Sequence, residues 1–457
     1  MTKDDINSRY RRRISYLTTL ASRSLKINDL RNMDEDTGKL LAMMLDDTYT
    51  DPVSVETQTS IDQEETEESI TNIYERIGSR KPVKDAFCFE KELHYDYALS
   101  SLNSQLPSYF RSLDANHGWM IYWLCNSLDV VSGPDSSWLT EELQGSVRRK
   151  IERNISNEGS DGIGGGKGQL GHVASCYASL LSLVIADEYS LLGKLRNHLY
   201  SWFLKLKRKD GSFSMHYGGE SDTRSVYCVL LSATILGILD ERLSEGVIEW
   251  LNRCQTYEGG FAGVPGTEAH GGYTFCALAS YLLLLKPCDG SLYAQLAKNI
   301  DMDLLVRWCV MRQHKAEGAF SGRTNKLVDA CYSFWIGASL AMIELALQKS
   351  SIFNRDALRL YILNCSQSTH SGGFKDKPGK VVDFYHTNYT LCGLSIAENQ
   401  FSFISDKDSS QLSFALLVHT SPVRNTQSIS PVNPVFGIRM DKVLKCREHA
   451  IDKYVSL

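Results

Sequence analysis

Chemically different side chains share one position in a repeated pattern. The position lies three residues before a tyrosine, and in five successive segments it holds Ala174, Arg224, His270, Asp329 and His386. A position kept only for packing would hold similar apolar residues in every copy. Four of these five side chains can instead bind an anion, a metal or a proton, so we expect them to face a common cavity.

A carboxylate, a thiolate and an imidazole are available together if Asp329, Cys331 and His386 approach one another. Three protein ligands with an open fourth position are typical of catalytic zinc. An Asp-x-Cys pair with a distant histidine is unspecific by itself, however, and a structural role for each residue stays open. The equivalent positions of Asp329 and His386 in adjacent repeats favour a metal site.

Other candidates have two interpretations each. Arg323 and Lys326 can bind an anion if they face inward, and are otherwise a solvated charge pair. His270 can bind a ligand or merely begin a helix. Four large aromatic side chains suit either a hydrophobic core or a ligand pocket: Trp119, Trp123, Tyr273 and Trp335.

Helical hairpins must hold these side chains in place. Four segments run from an aromatic residue to an acidic or polar residue, a glycine and a phenylalanine, with 11 to 13 residues between the two aromatic positions. The pairs are Trp202 and Phe213, Trp250 and Phe261, Trp308 and Phe320, and Tyr361 and Phe374. A fifth copy has a looser turn at residues 164–166, and a second helix opens near each repeat tyrosine. Such hairpins stack into a solenoid or close into a ring. The sequence therefore predicts an all-α fold, an α/α toroid (barrel) of about six helical hairpins.

Composition limits the class of protein. The 457 residues are 43% apolar and 23% charged, as in an ordinary globular protein, and the net charge of -5 argues against a nucleic-acid binder. The longest largely apolar run, Tyr273 to Leu285, is too short to span a bilayer. Twelve cysteines without a CxxC pair, in a chain that shows no signal peptide, indicate reduced thiols and a cytoplasmic protein.

Two regions follow from the patterning. Residues 1–86 are predicted to be a polar, acidic segment with some helix, and the stretch from Asp51 to Ser69 is predicted to be flexible. Residues 87–457 are predicted to form the α/α barrel. Within the barrel, Trp138–Arg153 and Leu243–Cys254 have the spacing of amphipathic helices.

Three long segments carry a family resemblance: EGGFAGVPGTEAHGGYTFCAL, GRTNKLVDACYSFW and DKPGKVVDFYHTNY. They resemble the signature segments of the β subunits of protein farnesyltransferases, and the similarity extends from about Trp119 to Glu398. The family fold is an α/α barrel, which agrees with the toroid predicted from the repeat. One departure is Ala330, where the family commonly has glycine between two ligands.

The resemblance implies a zinc-dependent transferase with one zinc per chain. It makes Asp329, Cys331 and His386 the zinc ligands, and the fourth ligand would be the cysteine of a C-terminal CaaX sequence. That thiolate would attack C1 of farnesyl diphosphate and release diphosphate. The protein substrates implied are CaaX-terminated proteins such as Ras-like GTPases.

Roles for the remaining site residues come from the same resemblance. His270, Arg323, Lys326 and Tyr332 match residues that bind the diphosphate, and Tyr332 is counted among the catalytic groups. Asp376 matches the carboxylate that positions Mg²⁺, with Lys377 and Lys380 in the same loop. Trp119, Tyr273 and Trp335 match walls of the farnesyl pocket. Arg224, Trp123 and Tyr385 are expected to contact the peptide, and Asp383 to support His386. An α subunit is expected as heterodimer partner and as the source of a further lysine.

Three other classes of protein share some of these features. A type I geranylgeranyltransferase β subunit shares the fold and the zinc ligands, but Trp119 and Asp376 favour the farnesyl enzyme. A terpene cyclase of similar architecture would need a DxDD motif, which is absent from the sequence. A helical scaffold without activity would explain the repeat but not the chemically varied position.

Overall fold

The computed structural model describes residues 57–79, 86–155, 162–285, 292–349, 352–403, 418–423 and 428–454, and its centre is a closed ring of inner helices. Each inner helix contacts the next along the chain, and the last contacts the first. In chain order they are His117–Ser132, Val173–Ile185, Thr223–Ile235, Gly271–Leu284, Tyr332–Leu347 and Phe384–Glu398. The closed ring confirms the predicted α/α toroid.

Outer helices alternate with the inner ones along the chain. They are Lys91–Asn103, Glu141–Glu152, Tyr189–Leu206, Val247–Cys254, Met302–Val310 and Arg355–Tyr361. The remaining described α-helices are Gln58–Ser79, Glu241–Ser244, Leu292–Ala297 and Met440–Tyr454. Aliphatic and aromatic side chains between the two layers form one continuous core.

Two predicted helices are shorter than expected, for local reasons. The helix predicted from Trp138 begins at Glu141, because the Thr140 hydroxyl accepts a hydrogen bond from the backbone N–H of Leu143 and caps that end. The helix predicted from Leu243 is interrupted at Gly246, whose φ of 71° lies in the left-handed region. Only Val247–Cys254 continues from there.

One backbone hydrogen bond recurs from repeat to repeat and brings the starts of the inner helices to one end of the ring. In each case an N–H at the start of an inner helix donates to a carbonyl in the turn of the next repeat. The donor and acceptor pairs are His117 and Gly165, Val173 and Met215, Thr223 and Gly263, Gly271 and Gly322, and Ala330 and Asp376. The chemically varied position is therefore presented at one rim of the central cavity, as the sequence pattern predicts.

Glycine is required where these turns approach a neighbouring outer helix. Gly259 has a φ of 106°, and a Cβ atom there would lie 2.1 Å from the carbonyl oxygen of Leu304. A side chain at this position would clash with backbone that cannot move away. The glycine of the repeated motif thus sets how closely successive hairpins pack.

The helix Gln58–Ser79 departs from the expectation of a flexible acidic stretch. Ile70, Tyr74 and Ile77 are buried on one face of this helix and belong to a cluster that includes Ala330 and Tyr361. Their spacing of four and three residues creates an apolar face that the acidic composition conceals. Residues 51–56 of the predicted flexible stretch lie outside the described residues.

Short strands interrupt the predominantly helical body. Phe374–Lys375 pairs antiparallel with Val382–Asp383, directly before the last inner helix. Asn399–Phe403 pairs antiparallel with Val418–Pro422 directly after it. The first hairpin contains Asp376 in its connecting loop and ends two residues before Tyr385. Among the described helices, none combines the length and apolarity that crossing a bilayer would require.

Candidate metal centre

The three predicted zinc ligands meet at the cavity rim. One ligand atom from each of Asp329, Cys331 and His386 lies within 4.8 Å of the other two. Asp329 and Cys331 come from the segment that leads into the inner helix Tyr332–Leu347, and His386 from the first turn of the inner helix Phe384–Glu398. Packing of these two adjacent inner helices thus brings together Cys331 and His386, which are 55 positions apart in sequence, as the repeat register predicts.

The imidazole of His386 is oriented for a ligand. Its Nδ1–H donates to Asp383 Oδ2 at 2.6 Å, and this bond places the ring's available lone pair on Nε2. Nε2 is buried and lies 3.2 Å from Asp329 Oδ1, yet it makes no hydrogen bond within the described residues. A buried, unsatisfied nitrogen beside a carboxylate and a thiol fits a metal ion at this position.

The three residues shift one another's pKa values because their ionisable groups lie close together. Burial alone would lower the pKa of His386, but the Asp329 and Asp383 carboxylates outweigh it and raise the pKa to about 10, so these carboxylates favour a positive charge on or at the ring, whether a proton or a metal ion on Nε2. Burial also opposes ionisation of Asp329, whereas His386 and the N–H of Cys331 hold the pKa of that carboxyl below its usual range. Burial and the Asp329 carboxylate raise the pKa of the Cys331 thiol. A divalent cation would relieve the concentration of negative charge that the ionised ligands create.

Asp376 lies in the same neighbourhood and already faces a cation. Burial, followed by the Asp329 charge, raises the pKa of Asp376. The Nζ of Lys377 lies 2.5 Å from both oxygens of the Asp376 carboxylate. The backbone carbonyl of Asp376 accepts the recurrent bond from Ala330, at 3.0 Å. The predicted magnesium carboxylate is therefore linked directly to the segment of the predicted zinc ligands.

His270 and Tyr332 form a hydrogen-bonded pair at the start of adjacent inner helices. The backbone N–H of Gly272 donates to His270 Nδ1 at 3.0 Å, so the ring proton of the neutral imidazole is on Nε2. His270 Nε2 lies 3.0 Å from the hydroxyl of Tyr332. Burial, aided by the Arg323 charge, lowers the pKa of His270, and burial raises that of Tyr332. Tyr332 therefore accepts from His270 and keeps its own proton available for an anion.

The two predicted diphosphate cations differ in their surroundings. Arg323 is half-exposed and its guanidinium lies 2.5 Å from the carboxylate of Glu268. Lys326 is exposed beside Asn325, whose φ of 58° turns the loop back. Glu268 was not among the residues predicted from the sequence, although its negative charge two residues before His270 could have indicated it.

Aromatic side chains line the inner face of the ring next to these polar groups. Trp335 donates its indole N–H to the hydroxyl of Tyr385 at 3.0 Å. The ring of Tyr385 meets that of Trp123 edge-on at 5.6 Å, and Trp119 lies 5.7 Å from Trp123. The four residues form a row of contacts that begins beside His386, whose ring Tyr385 also contacts. Trp119, Trp123 and Trp335 are only partly buried, as expected of cavity walls.

Arg224 and Tyr273 lie on the opposite flank of the His270 pair. The guanidinium of Arg224 lies over the ring of Tyr273 at 5.6 Å from its centre, and Tyr273 contacts the ring of His270. The carboxylate of Asp222 fixes the Arg224 head group at 2.6 Å. Half of the Arg224 side chain stays exposed, so it remains accessible to a carboxylate from outside.

Comparisons with known proteins agree with this arrangement. The sequence family described as "Prenyltransferase alpha-alpha toroid domain" matches residues 89–438. Protein farnesyltransferase subunit beta from Schizosaccharomyces pombe is 42% identical over 365 residues, which cover 77% of this chain and 88% of that protein. The protein of the same description from Saccharomyces cerevisiae is 39% identical, and the match covers 86% of each chain.

Geranylgeranyltransferases are also similar. A type-1 subunit beta from Arabidopsis thaliana is 32% identical over 341 residues, covering 68% of this chain and 86% of that protein. Among solved structures, Candida albicans protein geranylgeranyltransferase-I complexed with GGPP superposes with a TM-score of 0.61 at 21% identity. That match covers 79% of this chain and 99% of the other, and it supports the toroid fold.

Proposed function

This chain belongs to the protein farnesyltransferase β-subunit family, and we propose that it transfers farnesyl from farnesyl diphosphate to the cysteine of CaaX-terminated proteins such as Ras-like GTPases. The observation that carries the proposal is the meeting of Asp329, Cys331 and His386 beside the hydrogen-bonded pair of His270 and Tyr332. One side of this rim suits a metal and a thiol, and the other suits a diphosphate. The reacting sulfur and carbon would meet between them.

Zinc is the metal that this donor set supports. One Zn²⁺ held by Asp329, Cys331 and His386 would lower the pKa of a substrate thiol at its open fourth position. The chain's own contribution is orientation: Asp383 fixes the ring of His386, and the N–H of Cys331 donates to Asp329 at 2.9 Å. These bonds hold the ligands before substrate arrives.

The residues on the diphosphate side are proposed to stabilise the negative charge that develops on the leaving group. The C–S bond forms as the bond between C1 of farnesyl and the diphosphate oxygen breaks, and the electron pair leaves with diphosphate. Tyr332, His270, Arg323 and Lys326 surround the position proposed for that group, and their hydrogen bonds and charge stabilise it more strongly as the bond breaks. Asp376 is proposed to hold Mg²⁺ on the same diphosphate, and binding of the metal would require its carboxylate to release the ammonium of Lys377.

Aromatic residues are proposed to bind the farnesyl chain and the peptide. Trp119, Tyr273 and Trp335 are proposed to enclose the farnesyl chain, since they lie partly buried along the cavity. Trp123 and Tyr385 are proposed to contact the residues that follow the substrate cysteine. Arg224 is proposed to hold the peptide's C-terminal end, because Asp222 fixes it while half of its side chain remains exposed.

A second subunit completes the enzyme in this proposal. Membership of a β-subunit family implies an α subunit, and we propose that this subunit contributes a further lysine to the diphosphate. We also propose a cytoplasmic location. It agrees with the eleven cysteines of the described chain, all free and ten of them buried.

The proposal is tested with the co-expressed pair of subunits. Farnesyl and geranylgeranyl diphosphate are compared on CaaX peptides that end in Ser, Met or Leu, and zinc is measured in the same preparation. We expect about one zinc per heterodimer and a preference for farnesyl with peptides ending in Ser or Met. A preference for geranylgeranyl on the Leu peptide would assign the chain to the type I alternative.

A further inference from the structure

Tyr361 is the exception in a column of tryptophans. The outer helices of successive repeats carry Trp202, Trp250 and Trp308 at the position that Tyr361 occupies in the last of them. The indole of Trp308 lies against Gly260, and its N–H donates to the Glu258 side chain at 3.2 Å. A tyrosine at this position brings a hydroxyl in place of the indole nitrogen, and it does so in the repeat next to the metal ligands.

That hydroxyl binds the backbone of the metal centre. Tyr361 is fully buried at the end of its helix, and its hydroxyl donates to the carbonyl oxygen of Asp376 at 2.9 Å. The same oxygen accepts the N–H of Ala330 at 3.0 Å. A carbonyl oxygen has two lone pairs, so both donors bind it at once. Ala330 itself lies between the ligands Asp329 and Cys331.

The Asp376 carbonyl is thus the junction of three segments. Through Ala330 it is joined to the first two zinc ligands, and through the short hairpin of Phe374–Lys375 with Val382–Asp383 it is joined to the segment that begins the helix of His386. Its own side chain is the proposed magnesium carboxylate. The third connection, from Tyr361, is the only one of the three made by a side chain, and it can be removed without touching a proposed ligand.

The helix Gln58–Ser79 packs in the cluster that contains Tyr361. Ile70 and Tyr74 of the helix Gln58–Ser79 belong to the same buried cluster as Ala330 and Tyr361. The Tyr74 hydroxyl donates to the backbone carbonyl of Glu317, in the turn that precedes the ligand segment, at 2.6 Å. Tyr361 is therefore fixed on one side by packing, while its hydroxyl is directed at the junction.

We propose that Tyr361 is a positioning residue that couples the zinc ligands to the magnesium carboxylate through the backbone of Asp376. The proposal rests on the metal roles given under the proposed function. It predicts that loss of one buried hydroxyl weakens the binding of both Zn²⁺ and Mg²⁺, although all of their proposed ligands remain. Removing a group that orients a metal ligand without binding the metal itself typically lowers the metal affinity by about 10- to 100-fold.

The test is Tyr361→Phe in the heterodimer. We expect zinc to be held at the wild-type stoichiometry but with an affinity about 10-fold lower in competition with a chelator. We also expect the Mg²⁺ concentration for half-maximal transfer to rise several-fold. In Co²⁺-substituted protein, the thiolate-to-metal absorption should shift, since the geometry around Cys331 changes.

Tyr281→Phe is the matched control. Tyr281 is also fully buried, and its hydroxyl donates to Asn252 at 2.5 Å, away from the metal centre. Both variants lose one buried hydrogen bond, and only Tyr361→Phe should change metal binding. If the two variants match in zinc affinity, in Mg²⁺ dependence and in the Co²⁺ spectrum, the proposal is overturned. A wild-type heterodimer without zinc or without prenyl transfer would instead overturn the proposed function.

Discussion

Asp383 binds His386 twice, once through the ring and once through the backbone. Its Oδ2 accepts from His386 Nδ1 at 2.6 Å, and its Oδ1 accepts from the His386 backbone N–H at 2.7 Å as the N-cap of the helix. One carboxylate therefore sets both the start of the inner helix and the direction of Nε2, the nitrogen proposed to bind zinc. The fold and the ligand geometry share a single residue at this point.

Asp383→Asn should weaken zinc binding without removing a ligand. The amide oxygen can still cap the helix, but it lacks the charge that strengthens the bond to the imidazole. We expect zinc affinity to fall by about 10-fold or more, measured by competition with a chelator. Asp222→Asn, at the N-cap of an inner helix three repeats earlier, should leave zinc affinity unchanged. Equal zinc affinity in wild type and Asp383→Asn would show that Asp383 serves the helix alone.

Replacing a proposed zinc ligand should reduce zinc binding more than Asp383→Asn does, and should spare the binding of farnesyl diphosphate. Cys331→Ala and His386→Ala should each lose zinc and transfer, because two remaining protein ligands cannot hold the ion tightly. Binding of farnesyl diphosphate should survive, since its proposed ligands are other residues. Cys309→Ala, which replaces a buried cysteine of an outer helix, is the control and should keep full zinc. Full zinc occupancy in the ligand variants, by atomic absorption, would exclude the assignment.

The repeat made much of this arrangement predictable. The register of Asp329 and His386 against the repeat tyrosines was enough to predict that they converge, because a closed ring presents equivalent positions to one cavity. The bond between Trp335 and Tyr385, and that between Arg323 and Glu268, depend on side-chain directions that spacing does not fix. They became visible only with the fold.

Other features were concealed by composition. The acidic residues between Asp62 and Glu68 suggested a flexible segment, yet Ile70, Tyr74 and Ile77 give the helix a buried face behind the metal centre. The role of Tyr361 had a signal in the sequence, a tyrosine in a column of tryptophans. The acceptor of its hydroxyl is a backbone carbonyl 15 residues away, and a pattern of side chains cannot predict a backbone acceptor.

Asp376→Lys should keep substantial activity and lose most of its dependence on Mg²⁺. A lysine would place positive charge beside the diphosphate where the metal otherwise supplies it. The substitution also removes the ion pair between the Asp376 carboxylate and the ammonium of Lys377. The measurement is transfer rate against Mg²⁺ concentration, with Asp303→Lys on an exposed outer position as control. An unchanged titration curve in Asp376→Lys would remove this carboxylate from the magnesium site.

Trp119 is predicted to limit the length of the lipid. It lies partly buried on the inner helix His117–Ser132, 5.7 Å from Trp123 and 5.6 Å from Tyr177. Trp119→Thr removes most of an indole from the cavity wall and should admit geranylgeranyl diphosphate as a productive substrate. Use of farnesyl diphosphate should persist, because a hydrophobic pocket discriminates by only about 1–3 kcal/mol per methylene group.

The deciding quantity is the ratio of kcat/KM for the two diphosphates, taken with a melting curve for each protein. Trp123→Thr, one helical turn further along the same face, is the matched control: it should affect the peptide's KM and leave the lipid ratio near the wild-type value. If Trp119 served only as core, its truncation would cost about 3–5 kcal/mol of stability and leave the lipid ratio unchanged. A destabilised Trp119→Thr enzyme that still rejects the longer lipid would therefore assign length selection to another wall of the cavity.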